Sequence, residues 1–165
     1  MSDNIYQAPQ SQVEVPVESD FVLASRGARF GASFIDGLIL LLIIVPLGFL
    51  VGFYQIVFEQ GVPTTAQNLT MAVAGVGAFL LVNSYFLNLN GQTIGKKIVG
   101  IKIVDLNGEK PAFAKLLGLR YVPQWIVSYI PFINTPLVLI DILFIFRSDK
   151  RCVHDLIAGT QVVEA

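Results

Sequence analysis

FGASFIDGLILLLIIVPLGFLVGF, residues 30–53, sets the class of this chain. About 20 apolar residues wound as a helix cover the ~30 Å hydrocarbon core of a bilayer. One carboxylate, Asp36, interrupts the run. Placing a charge at such a position costs roughly 2.5–3.5 kcal/mol on insertion scales. A group of this kind is expected to face a protein interior or a wet cavity, to be paired, and to carry function. Pro46 lies inside the run and is expected to kink the helix, which membrane helices tolerate. Gly27 and Gly31, then Gly48 and Gly52, stand four apart, a spacing that lets a second helix approach.

The rest of the chain agrees with the membrane class. It has 165 residues, 54% hydrophobic and only 14% charged, where soluble domains carry about 25%. A second apolar run, LTMAVAGVGAFLLVNSYFLNL, covers residues 69–89. The expected fold is all-α, a small transmembrane helical bundle. It has two spans, a Pro-broken C-terminal helical hairpin and a small cytoplasmic β element. Residues 1–20, with Asp3, Pro9, Glu14, Pro16 and Glu18, read as a flexible cytoplasmic tail. Residues 21–165 form the transmembrane domain. The first 25 residues lack Lys and Arg and the first 20 lack an apolar core, so no secretory signal is expected. A net charge of −1 argues against nucleic acid as a partner. One cysteine and one histidine build neither a disulfide nor a His-rich metal site. No cofactor and no metal are expected; the partners are the lipid bilayer, a second copy of the chain and a small cation.

The basic residues orient the chain. Arg26 and Arg29 precede the first run, none occurs from Phe30 to Gly95, and Lys96, Lys97, Lys102, Lys110, Lys115 and Arg120 follow the second. None occurs from Tyr121 to Phe146, and Arg147, Lys150 and Arg151 close the set. Cytoplasmic flanks carry the excess of Lys and Arg. Both termini and the 90–115 segment are therefore expected on the cytoplasmic side, with Tyr54–Asn68 outside. Residues 112–146 must then enter and return, dividing at Pro131–Phe132–Ile133–Asn134–Thr135–Pro136. One span, two spans and a re-entrant hairpin all stay open for this stretch. In GKKIVGIKIVDLNGEKP, the β-branched residues from Ile98 to Val104 and the Asn107–Gly108 turn signal point to a β element. GTQVV, residues 159–163, is a candidate pairing strand.

Counting residues inward from the cytoplasmic boundary gives a polar layer. Asp36, Asn83 or Ser84, Arg120 and Asp141 fall at one depth on four segments. A cross-helix pair of Arg120 or Arg29 with Asp36 or Asp141 is expected, because the guanidinium fork binds both carboxylate oxygens. The layer supports two readings, an ion or proton site and a buried ion pair that fixes helix register.

Other motifs carry less. Asn90–Lys97 resembles a phosphate loop but lacks one residue between its glycines and the hydroxyl after lysine. His154 and Asp155 beside Cys152 suggest a catalytic cluster with no third member, and a capping or docking role for Asp155 is the plainer reading. Enzyme chemistry is not expected.

Four segments together, RFGASFID (29–36), GQTIGKKIVGIKIVD (91–105), Leu119–Arg120 and HDLIAGTQVV (154–163), resemble the RDD family of small polytopic membrane proteins. The resemblance covers residues 22–165. By position, the family's eponymous arginine is matched by Arg29 and its first aspartate by Asp36. Its other aspartate is matched by Asp155, with Asp141 the alternative candidate. The resemblance implies a bacterial inner-membrane protein, for which transport, including sodium/proton exchange, has been proposed. Two functions follow as expectations: a small cation transporter with Asp36 as carrier, and a non-transporting module that organises or assists a partner complex.

Overall fold

A computed structural model describes residues 21–130 and 132–165; the expected tail at 1–20 lies outside them. Helix α1 spans Arg26–Leu50 and α3 spans Thr65–Asn90. Both are long and apolar enough to cross a membrane. Ser25 caps α1 by accepting the Ala28 amide, and Thr64 with Gln67 forms a capping box on α3. Leu42, Leu50 and Leu81 are 77%, 84% and 87% exposed. Apolar faces this open belong against lipid. The helix α1 runs unbroken through Pro46. A short α2, Phe53–Gln60, follows the left-handed Gly52 and leads to α3.

Of the two glycine pairs, only Gly48 receives a side chain of another helix among the described residues, Tyr54 of α2. Nothing approaches the Cβ positions of Gly27 or Gly31 among the described residues, and Gly48 is covered by the Tyr54 ring. Gly52 sits at φ 71 where the chain leaves α1.

After α3 come α4, Ile94–Val99, and strand β1, Ile101–Asp105. Ile98 and Val99 thus lie in a helix, where their β-branching suggests strand. Capping overrides that preference. The Ile94, Gly95 and Lys96 amides, which a helix leaves without internal partners, donate to Asn83 Oδ1, Asp36 Oδ1 and Thr93 Oγ1. The Asn107–Gly108 turn forms, but β1 takes its partner from the C-terminus.

The third region holds α5, Phe113–Lys115, a π-helical stretch Leu116–Tyr121, and α6, Val122–Ser128. The chain then breaks, with Phe132 at φ 68, and returns as α7, Asn134–Leu143, extended by a 3₁₀ turn Phe144–Phe146. The return arm reaches about 20 Å, short of the ~30 Å core. Helix α8, Val153–Ala158, and strand β2, Thr160–Glu164, close the chain.

β1 and β2 pair antiparallel, Ile101 with Glu164 through Asp105 with Thr160. The two arms carry the same plan. A positive-φ residue (Gly91, Lys150) is followed two positions on by a helix N-cap (Thr93, Cys152). A six-residue helix, a left-handed glycine (Gly100, Gly159) and a five-residue strand complete each arm. The register is symmetric about the Ile103–Val162 pair, so a local two-fold relates α4–β1 to α8–β2. Even the capping repeats: Asp36 of α1 accepts the second amide of α4, and Asp141 of α7 accepts the second amide of α8. Ile101, Ile103, Val162, Leu87, Ala32 and Leu116 form the buried core beneath this sheet.

Candidate functional site

The buried polar groups lie under the sheet, where α1, α3, the π-helical stretch and both short helices meet. Asp155, fully buried at the third position of α8, is the centre. Arg29 from α1 ion-pairs with its Oδ2 and Arg120 from the π-helical stretch with its Oδ1. Arg29 also donates to the Lys150 carbonyl and to Cys152 Sγ, and Arg120 donates to Thr160 Oγ1 at 2.7 Å. The Cys152 amide donates to Asp155 Oδ2 at 3.0 Å, which ties the ion pairs to the start of α8. Burial pushes the Asp155 carboxyl up, but Arg120, His154 and Arg29 more than reverse this and hold it well below the usual carboxylate range.

Asp36 lies in a second group. Its oxygens accept Thr93 Oγ1 at 2.5 Å and the Gly95 amide at 2.7 Å. Asn83 accepts the Ile94 amide at 2.9 Å and donates to the Phe79 carbonyl. Gly95 is needed here, because a β-carbon on it would overlap the Ala32 carbonyl and stand 2.9 Å from Asp36 Cγ. Ser84 is half-buried, and its side chain makes no hydrogen bond among the described residues. Asp141 belongs to a third group. It accepts the His154 amide and Nδ1 at 2.9 and 2.7 Å and Gln124 Nε2 at 3.3 Å. Burial lowers the imidazole below its ordinary range against the pull of Asp141, so near neutral pH this contact is a neutral N–H donating to a carboxylate.

The expected pairs of Arg29 or Arg120 with Asp36 or Asp141 are therefore replaced. Both arginines meet Asp155, because α8 folds back beneath the spans and brings its first turn between them. Depth counting along the spans could not locate a residue that arrives from the tail. It also passed over Lys96, which occupies in α4 the position that Asp155 occupies in α8. Lys96 is 9% exposed, and burial, then Arg120, lowers its ammonium to about 8. The one signal for it in sequence is its place three residues after the N-cap Thr93.

Cys152, His154 and Asp155 offer three metal-ligand atoms within 4.8 Å of one another. They suit a metal poorly. Both oxygens of Asp155 hold guanidiniums, Arg29 contacts the sulfur, and burial pushes the Cys152 thiol up to about 11.

A profile described as the RDD family matches residues 23–159, which takes in all three polar groups and stops just before Thr160. A protein of Haemophilus influenzae, described as uncharacterized, is 28% identical over 147 residues, covering 88% of this chain and 81% of its own. Uncharacterized protein YxaI of Bacillus subtilis is 29% identical over 153 residues, 82% of this chain and 93% of its own. Uncharacterized protein YckC of the same organism is 41% identical over 75 residues, 46% and 48% of the two chains. No solved structure matches the chain.

Proposed function

The chain belongs to the RDD family, and from that premise we propose that it is a multi-pass membrane protein that moves a small ion in step with a proton through the buried charged layer. The observation that carries this reading is Lys96, a largely buried lysine in α4, which packs on α1 next to Asp36, with its ammonium lowered to about 8 by burial and then by Arg120. A proton-linked step needs a group that changes charge near working pH. Asp36, read from sequence as the carrier, has its oxygens committed to Thr93 and Gly95. Its geometry suits positioning α4, and with it Lys96.

The layer sits on the cytoplasmic side of a bacterial inner membrane in this reading, with both termini cytoplasmic. The distribution of Lys and Arg supports that orientation. The short return arm supports a re-entrant α6–α7 hairpin. The open apolar faces of α1 and α3 leave room for a second copy of the chain.

The test is proton movement in proteoliposomes, read with a pH-sensitive dye under an imposed salt gradient. Wild type is expected to move protons, Lys96→Met to lose the flux, and Asp36→Asn to keep a reduced one. Folded, inserted wild type that moves none would sink the reading and leave the alternative, a non-transporting module that holds a partner complex.

A further inference from the structure

His154 joins two parts of the molecule that little else holds together. Among the described residues, every hydrogen bond between the α6–α7 hairpin and α8 involves it. Its amide and its Nδ1 reach Asp141 of α7 at 2.9 and 2.7 Å, and Gln124 Nε2 of α6 lies 2.9 Å from Nδ1. The far end of the hairpin is fastened elsewhere, by Arg26 of α1, which donates to the Ile145 carbonyl at 3.0 Å. The other ring nitrogen, Nε2, stands 3.7 Å from Asp155 Oδ1, beyond hydrogen-bond reach. That oxygen already holds Arg120. The ring therefore lies between two carboxylates and bonds one of them.

Each element packed around the ring sets its charge balance. Helix α7 brings Asp141, and α8 brings Asp155 and the Cys152 thiol, whose sulfur lies within 4.8 Å. The π-helical stretch brings Arg120. Arg29 of α1 and Arg151 also reach Asp155, Arg151 through the backbone carbonyl. Helix α6 adds the neutral amide of Gln124. Two carboxylates thus face three guanidiniums, and a proton on His154 adds to a positive excess around a largely buried ring. A buried charge without a counterion of its own is costly, and water relieves the cost only where the ring moves out. We propose that His154 is an acid-released latch: neutral, it fastens the hairpin to α8, and once protonated it lets the hairpin part from the Arg29–Asp155–Arg120 centre. Burial, then Arg120, lowers the imidazole against the pull of Asp141. The closed form therefore binds fewer protons, and it loses ground as pH falls below the ordinary value of about 6.5. The inference goes beyond ion movement and does not depend on it.

The experiment is hydrogen–deuterium exchange of the full chain in detergent at about pH 7 and about pH 5, each corrected for the intrinsic rate of exchange. The amides of α7 are expected to exchange faster at the lower pH, by up to roughly tenfold per pH unit for a single proton, while α1 and α3 stay protected. His154→Asn keeps a donor near the place of Nδ1 and gains no proton, so α7 is expected to stay protected at both values. His154→Leu has no donor and is expected to leave α7 fast at both. Equal α7 protection in wild type, a loss that extends to α1 and α3, or a pH response kept in either variant would each overturn the latch. Proton flux in liposomes, present or absent, changes none of these outcomes, so the latch and the transport reading stand or fall separately.

Discussion

Gly95 of α4 lies so close to Ala32 of α1 that the Ala32 carbonyl fills the space a β-carbon would need. The approach lets the Gly95 amide reach Asp36 at 2.7 Å. Gly95→Ala therefore has two opposed effects. Helix propensity favours alanine by about 1 kcal/mol, and the clash with backbone costs about 1–3 kcal/mol. We expect the clash to win and the unfolding midpoint in detergent to fall. A stabilised variant would show that α1 and α4 are not held at this distance.

Asp36→Ala removes the acceptor for both Thr93 and Gly95, and each buried donor left unpaired costs about 1–3 kcal/mol. Asp36→Asn keeps one acceptor oxygen and should lose less. Midpoints measured side by side check this order; equal losses would point to the charge of Asp36 rather than to its capping.

Asp155→Asn leaves two buried guanidiniums against a neutral amide, a loss of about 3–5 kcal/mol. The same carboxylate governs acid stability. Its folded pKa lies below the unfolded value of about 3.9, so its contribution is complete above that value. It is lost as pH falls further, toward the folded pKa. Acid unfolding followed by circular dichroism should show a steep loss below about pH 4 that Asp155→Asn lacks.

Lys96 acts at the other end of the scale. Its pKa is about 8 in the folded chain and about 10.4 unfolded. Between these values the unfolded state binds more protons, so stability rises with pH. Below about 8 the penalty is present in full. A midpoint that climbs from pH 8 to 10 in wild type and stays flat in Lys96→Met is the expected result.

Cys152, with a thiol near 11 and Arg29 against its sulfur, should resist alkylation at pH 8 until the protein unfolds. Labelling monitored by mass shift, with and without denaturant, checks this; rapid native labelling would mean that α8 opens.

Much of this architecture is legible in sequence. The runs at 30–53 and 69–89 announce α1 and α3, because lipid demands long apolar helices and little else satisfies that demand. The pairing of the 98–104 region with GTQVV is also readable from β-branching and turn signals, and it appears as β1 and β2. What fails to show is anything set by tertiary capping. Ile98 and Val99 are helical because Asn83 and Asp36, from two other helices, satisfy the first amides of α4. Of the residues expected in the polar layer, Arg120 and Asn83 are buried within the protein. Their partners do not follow, since the Asp155 carboxylate comes from a tail that no count along the spans could place. The duplicated plan of α4–β1 and α8–β2 escapes a reading of side chains because few of them repeat; what repeats is backbone: a positive φ, a cap, a glycine.

That duplication has a consequence for charge. Were the platform assembled from two identical half-length chains, the third helical position would be the same residue twice. Two lysines would repel across the centre, and two aspartates would compete for the same guanidiniums. Carrying both halves in one polypeptide leaves the paired positions free to differ, so that one is the acceptor for both arginines while the other is a lysine. Covalent fusion is what lets a nearly symmetric scaffold hold an asymmetric electrical centre.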